Sequence, residues 1–406
     1  MLSDSPLPTS VHRRILALAF LGWAFDFYDL ILYTFLTRPI SADLGLTRFD
    51  HSWALGISFT FTAVGGIASG FLSDRFGRRA TISWTILLYS LGSLLSGLST
   101  SKTILFGARA ITGMGVGGEW GAGHTLVAET YPPRYRGRAG SILQMGAPVG
   151  VGLATLIGTL VAPRVGWRAV LIGSSATALL AFFARRFMPE SDLWLAGKVA
   201  RFGSGFRRLF AGDLSSRFYR ALVLNALTGA SYWFTYSWLP EYLRSRGLTL
   251  ADTGTYISVI VCAEIVGYSL FGFVSDRVGR RPTFTAFAFT MAVGLLPLTV
   301  LWDRFASVRP LIFCAMALVG IGTGIWSNFG PMLAELFPTE TRNTAMGSVF
   351  NLARAAQLGA PLLIAYLEPR YGFAAGIGLA ALFAVLAGLF VWTLPETKAQ
   401  MLAAAA

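Results

Sequence analysis

The decapeptide GFLSDRFGRR at residues 70–79 returns as GFVSDRVGRR at residues 272–281, 202 positions further along the chain. The copies differ only where Leu72 and Phe76 become Val274 and Val278. Two further matches follow in the same order: AETYP at residues 128–132 returns as AELFP at residues 334–338, and Pro189-Glu190 returns as Pro395-Glu396, both 206 positions later. Ordered matches at a nearly constant offset mark an internal duplication. The chain therefore reads as two related halves, residues 1–187 and 219–406, joined by residues 188–218.

Each copy of the decapeptide occupies a short basic gap between apolar windows. Such windows fall near residues 15–36, 53–72, 80–98, 103–130, 139–162 and 167–187 in the first half, and 219–240, 253–274, 283–301, 309–336, 344–367 and 373–394 in the second. The first window has 22 residues, enough to cross about 30 Å of hydrocarbon at roughly 1.5 Å per residue. The pattern predicts an all-α membrane protein with twelve transmembrane helices in two six-helix bundles. Composition agrees, with 54% hydrophobic and 13% charged residues, where soluble domains carry about a quarter charged. Mean hydropathy is +0.60.

The net charge of +13 would suggest nucleic acid in a soluble protein, but here the basic residues sit in loops. Of the 33 Lys and Arg, 21 fall on the side that carries both ends, the even-numbered loops and the connecting segment, against 10 on the other. The positive side faces the cytoplasm, so both termini are expected there, with the chain in the inner membrane and no nucleic-acid partner. The segment holding Lys198, Arg201, Arg207, Arg208 and Arg217 is expected to lie on the membrane surface, with a weakly amphipathic piece at residues 206–210. Cys262 and Cys314 fall inside spans, and His12, His51 and His124 are scattered, so neither a disulfide framework nor a metal site is expected. No cofactor is implied, and no nucleophile–base arrangement suggests an enzyme. His12-Arg13-Arg14 resembles a signal-peptide start, but the run after it is long, acidic and without a cleavage pattern, so it reads as an uncleaved first helix.

The first span contains WAFDFYDLILY at residues 23–33, which buries Asp26 and Asp29 in an apolar run. A charge at the centre of a span costs at least about 2.5 kcal/mol, so such residues face a protein interior or a water-filled path. Their spacing puts both carboxylates on one helix face, with Tyr33 four residues further along it. Either one of them neutralises a buried arginine, or the two take part in proton coupling.

The repeated decapeptide resembles the signature loop of the major facilitator superfamily, G-x-L-(A/S)-D-R-x-G-R-R, found between helices 2 and 3 and again between 8 and 9. The resemblance covers essentially the whole chain and implies two parallel six-helix repeats that work by alternating access. The physics of the loop is intelligible without the family. Gly77 and Gly279 permit a tight turn, while Asp74 and Asp276 can pair with arginines or with the positive end of a neighbouring helix. Gly70, Asp74, Arg75, Gly77, Arg78 and Arg79, with Gly272, Asp276, Arg277, Gly279, Arg280 and Arg281, therefore read as a cytoplasmic lock, or as charges that only fix topology. Glu129 and Glu335, from the second matched pair, are grouped with them.

Within the superfamily, Asp26-Phe-Tyr-Asp29 and the stretch RAITGMGVGGEW at residues 109–120 resemble the proton symporters for organic acids, which include sialate and lactate permeases and the aromatic-acid group. The seventh span agrees in part with the lactate-type pattern N-x-x-(S/T)-H-x-(S/T)-Q-D. Asn225, Thr228 and Ser231 match it, whereas Gly229, Tyr232 and Trp233 replace the histidine, glutamine and aspartate. The resemblance implies symport of a proton with a small organic anion: a monocarboxylate such as lactate or pyruvate first, with sialate or an aromatic acid as alternatives. A monomer suffices for this.

Arg109 shares a stripe with Gly113 and Gly117, small residues that let another helix approach. Its planar fork can hold either an intramembrane aspartate or an anionic substrate. Glu119, rotated away from Arg109 on the same helix, reads as a packing or hydrogen-bonded acid. Arg354 has no acid on its own helix, so either Glu264 or a substrate carboxylate must compensate it. Asn225, Tyr232, Tyr236, Asn328 and Gln357, with Tyr33, are expected to add hydrogen bonds to the substrate. His124 reads either as a proton relay or as hydrogen-bonded packing. Two rival functions fit the same fold class: a drug or cation antiporter using the first-helix acids to bind a cation, and a non-transporting sensor. Two mid-span arginines weigh against a cationic cargo, and a sensor would be expected to carry a soluble domain or a long tail.

Overall fold

The computed structural model describes residues 2–5, 7–196, 209–210, 212–236, 239–248, 250–299, 301–305, 308–357, 370, 374 and 378–398. All regular structure among them is helical. The first half holds α1 (Ser10–Leu44), α2 (Arg48–Phe76), α3 (Arg78–Gly97) and α4 (Lys102–Thr130). A fifth pass follows in α5 (Arg136–Gln144), α6 (Gly146–Leu156), a π turn (Ile157–Val161) and α7 (Ala162–Val165). The sixth is α8 (Trp167–Ser174) with α9 (Ala178–Phe187), and α10 (Asp192–Ala196) opens the connecting segment. The second half holds α11 (Gly212–Tyr236), α12 (Leu239–Ser245), α13 (Leu250–Val278), α14 (Arg280–Leu298), α15 (Trp302–Phe305) and α16 (Arg309–Gly322). The last of these runs through a 3₁₀ stretch (Thr323–Asn328) into α17 (Phe329–Leu336), and α18 (Arg342–Gln357) and α19 (Gly378–Thr393) complete the chain. The expected surface helix around Phe206, with Lys198, Arg201, Arg207 and Arg208, lies outside the described residues.

Among the described residues, seven helical runs are long and apolar enough on their own to cross a bilayer. The fourth pass is not one of them, because its glycines, Arg109, Glu119 and His124 dilute its apolar character. Its position explains the tolerance: every residue from 115 to 130 is buried within the protein. Lipid instead meets the outer faces, where Trp84, Leu179, Phe182 and Leu389 are 66%, 63%, 64% and 55% exposed.

Close helix packing positions α4. A Cβ on Gly113 would stand 2.3 Å from the Ser58 carbonyl oxygen, and one on Gly117 would stand 1.9 Å from that of Thr62, so the backbone of α4 lies directly on α2. Gly150 makes the same approach to α1, 2.0 Å from the Ala24 carbonyl. Between helices in lipid, such packing supplies the attraction that the hydrophobic effect supplies in water. Gly117→Ala should therefore force α2 and α4 apart and lower the thermal unfolding midpoint in detergent, read by intrinsic fluorescence. Gly152→Ala, at a position open on all sides, should leave it unchanged.

Candidate functional site

At the end of the bundle that carries both ends of the chain, each half sets its signature aspartate on the start of a helix in the other half. Asp74, near the end of α2, accepts from the backbone N–H of Asn343 at 3.3 Å and of Thr344 at 2.9 Å, and from the Thr344 hydroxyl at 2.6 Å. Asp276, near the end of α13, accepts from the N–H of Gly137 at 2.9 Å and of Arg138 at 3.0 Å. In both copies the donors are the second and third residues of the helix, which have no intrahelical partner and sit at the positive end of its dipole. Gly70 and Gly272 allow the approach: a Cβ on each would stand 2.9 Å from Thr344 Cα and 3.0 Å from Arg138 Cα.

Buried ion pairs complete this end. Arg78 forks onto Glu129 with two contacts of 3.0 Å and reaches Asp74 at 3.1 Å. Arg342 joins Glu129 from the other half at 2.5 Å. In the second copy Arg280 meets Glu335 at 3.2 Å and Asp276 at 2.9 Å, and Arg136 joins Glu335 across the interface at 3.1 Å. Gly77 and Gly279, at φ of 98° and 128°, make the tight turns before α3 and α14. The first N–H groups of those helices, from Arg78 and Arg79 and from Arg280 and Arg281, are taken by Glu190 and Glu396. Arg75 and Arg277 are exposed and stay outside the network. The sequence reading missed Arg136 and Arg342 as lock residues. Their separation of 206 positions, shared with Glu129 and Glu335, was the available signal.

At mid-span the charges are less completely met. Arg109 Nη1 donates to Asp29 at 3.0 Å and its Nε to Ser58 Oγ at 3.1 Å, while the guanidinium lies 4.7 Å from the Tyr33 ring centre. Arg109 Nη2 and the second Asp29 oxygen have no hydrogen-bond partner. The Tyr33 hydroxyl meets His51 Nδ1 at 3.0 Å, and His51 Nε2 meets Ser41 Oγ at 2.7 Å, tying α1 to α2 at the far end. Asp26 is fully buried and neither of its oxygens has a hydrogen-bond partner. It lies within electrostatic reach of Glu119, Arg354 and Asp29.

Arg354, on α18, lies within electrostatic reach of Asp26 across the interface and of Tyr232 in its own half, and 5.9 Å from the Phe27 ring centre. Glu264, the other acid expected for it, accepts instead from the Tyr268 hydroxyl at 2.8 Å. Aromatic rings fill the space between the halves: Trp120 stacks on Phe350 at 3.8 Å, Tyr232 stacks on Tyr236 at 4.1 Å, and Trp326 stands edge-on to Tyr232 at 5.8 Å. Asn225 is buried on α11. Asn328 donates to Met332 in its own helical run. The side chain of Gln357 lies outside the described residues. His124 bonds to Gln144 at 3.2 Å and is wedged against Gly330.

Two helical bundles are paired here, with buried, incompletely matched charges at mid-span and an interlocked end. The chain belongs to the Major Facilitator Superfamily, whose model matches residues 15–301 and 221–405. The sialic acid transporter NanX of Escherichia coli is 29% identical over 93% of this chain and 94% of its own. The cis,cis-muconate transport protein of Acinetobacter baylyi is 31% identical, covering 89% of this chain and 88% of its own. The solved structure of the proton:xylose symporter XylE superposes with a TM-score of 0.80 over 97% of this chain and 98% of its own, at 19% identity, a likeness of fold.

Two expectations follow. Asp74→Asn and Asp276→Asn together remove both cap charges, each worth about 1 kcal/mol. In a Cys262→Ser, Cys314→Ser background, spin labels at positions 134 and 278 should then show a longer distance population than without the two changes. An unchanged distribution would remove the caps from the lock. At the far end, burial holds the His51 imidazole below its ordinary 6.5, so the neutral ring is the folded form. Its contribution is complete above about pH 6.5 and declines as the pH falls. Thermal stability should drop at acid pH, and His51→Gln should flatten that drop.

Proposed function

We propose that the chain is a proton-coupled symporter that carries a small organic anion by alternating access, as a monomer in the inner membrane with both termini cytoplasmic. The observation that carries this reading is the half-made fork of Arg109, with Nη2 unpartnered beside one bond to Asp29; Arg354 supplies a second guanidinium from the other half, within electrostatic reach of Asp26. An arginine fork is matched to a carboxylate, and two of them at mid-span favour an anion and disfavour the cationic cargo of an antiporter.

A proton reaching the first-helix acids neutralises a carboxylate whose charged form is costly in this setting. Arg109, held to Asp29 by one contact, offers its open Nη2 to the substrate carboxylate, with Arg354 as the second hold. One proton and one monovalent anion leave the net charge of the site unchanged, so the loaded carrier reorients without moving extra charge across the membrane, and proton and anion leave together. The aromatic surfaces of Trp120, Phe350, Trp326 and Tyr232 support a planar or ring-bearing acid ahead of the lactate or pyruvate that the sequence resemblance placed first. The carboxylates named for the relatives, sialic acid and cis,cis-muconate, support the same shift.

The test is uptake by purified protein in liposomes under an inward proton gradient, with labelled hydroxybenzoate, muconate, sialate, lactate, pyruvate and a cationic dye. Accumulation of an acid that a protonophore abolishes is expected, and proton-driven export of the dye alone would establish the antiporter. Asp26→Asn with Asp29→Asn should abolish the coupled accumulation. Arg354→Lys should raise the half-saturating concentration by at least about tenfold, because the fork is lost.

A further inference from the structure

Glu119 is not used by the scheme above, yet its carboxyl lies against the same helix as Asp26. It is 1% exposed, and its Oε2 has no hydrogen-bond partner. Its Oε1 lies 2.3 Å from where a Cβ on Gly22 would stand, so the carboxyl fits against α1 only because residue 22 has no side chain. Gly22 is four residues, about one helical turn, before Asp26, or about 6 Å along the axis. Two carboxyl groups from α1 and α4, with three unpartnered oxygens between them, thus occupy one closed interior.

We propose that Glu119 is a proton station paired with Asp26, so that the transported proton is held between α1 and α4 and leaves toward the locked end by way of Glu119. This deepens the proton-coupled reading above and rests on it. The charged and titratable groups around the pair leave it room for one proton. Asp29 on α1 is engaged by Arg109. Tyr89 on α3 is within reach of all three acids, and Arg354 on α18 is within reach of Asp26. Two adjacent carboxylates cannot both stay charged in such an interior, and one proton shared between them removes a charge and supplies the missing hydrogen bond. The transfer balances: the O–H bond of the Asp26 carboxylic acid breaks, an O–H bond forms on the Glu119 carboxylate, and Asp26 returns to the anion that faces Arg354. When the locked end opens, the proton passes from Glu119 to water.

Infrared spectroscopy of the full-length protein in lipid, without substrate or gradient, reads the pair directly. The wild type should show a protonated-carboxyl C=O band at neutral pH, and Glu119→Gln and Asp26→Asn should each remove or displace it. A wild type without the band, or a band that Glu119→Gln leaves in place, overturns the proposal. In liposomes Glu119→Gln should lower gradient-driven accumulation by at least about tenfold, while substrate exchange at equal pH on both sides persists and reports an intact fold. Retained proton-driven accumulation in Glu119→Gln sinks the pair and leaves the symport reading standing. A wild type that transports no acid, but whose band moves in both variants, sinks the symport reading and leaves the pair.

Discussion

A charge buried in this protein is stable only where a counter-charge or a helix end meets it, and the two places where charge is buried satisfy that demand differently. At the locked end every acid of the network has at least one partner inside its own half: Glu129 has Arg78, and Glu335 has Arg280. The arginines that cross the interface also have local partners, since Arg136 Nε donates to the Ala128 carbonyl and Arg342 Nε to that of Ala334, both at 2.8 Å. Stripping one partner from a buried pair costs about 3–5 kcal/mol when it leaves the other charge bare. Here separation of the halves breaks the crossing contacts and leaves no acid bare, while Arg136 and Arg342 keep only carbonyl partners in their own halves, so the cost of parting falls on the two arginines.

Mid-span is the opposite case. Asp26 and Glu119 carry oxygens with no partner, and Arg109 keeps a free Nη2. These groups leave one another's hydrogen-bonding capacity unmet, although all of them lie in one half. The contrast separates the two regions more sharply than residue type does, because both are built from the same few arginines and carboxylates.

The duplication was legible in the sequence because it is written as ordered matches, and it correctly grouped Gly70 with Gly272, Asp74 with Asp276 and Glu129 with Glu335. A repeat says which positions are equivalent; it does not say across which surface they act. That Asp74 caps α18 and Asp276 caps α5 depends on how the halves face each other, which no local periodicity encodes. The same limit hid the surroundings of Glu119. Helical geometry turns it away from Arg109, but α1 packs along α4 far enough for Asp29 to meet Arg109 at one level and Gly22 to meet Glu119 at another. Arg354 was singled out as a charge that Glu264 or a substrate carboxylate must compensate. The acid it faces belongs to the other half, where a search confined to neighbouring spans does not reach.

The two regions are joined by two helices. α4 carries Arg109 and Glu119 at mid-span and Glu129 at the lock, and α18 carries Arg354 at mid-span and Arg342 at the lock. Twenty residues of α4 separate Arg109 from Glu129, about 30 Å of helix, and the glycine contacts with α2 hold that length as a rigid strut. A ligand shifts such a balance only by binding one arrangement better than the other. An anion that bridges Arg109 and Arg354 ties α4 to α18 at mid-span, where the same two helices are already joined at the lock by Glu129 and Arg342, so it favours one relative placement of the halves. An anion that reaches one arginine alone has no such preference. Under the proposed symport, the span between the two guanidinium groups, more than the affinity of either, sets which organic acids favour one placement of the halves.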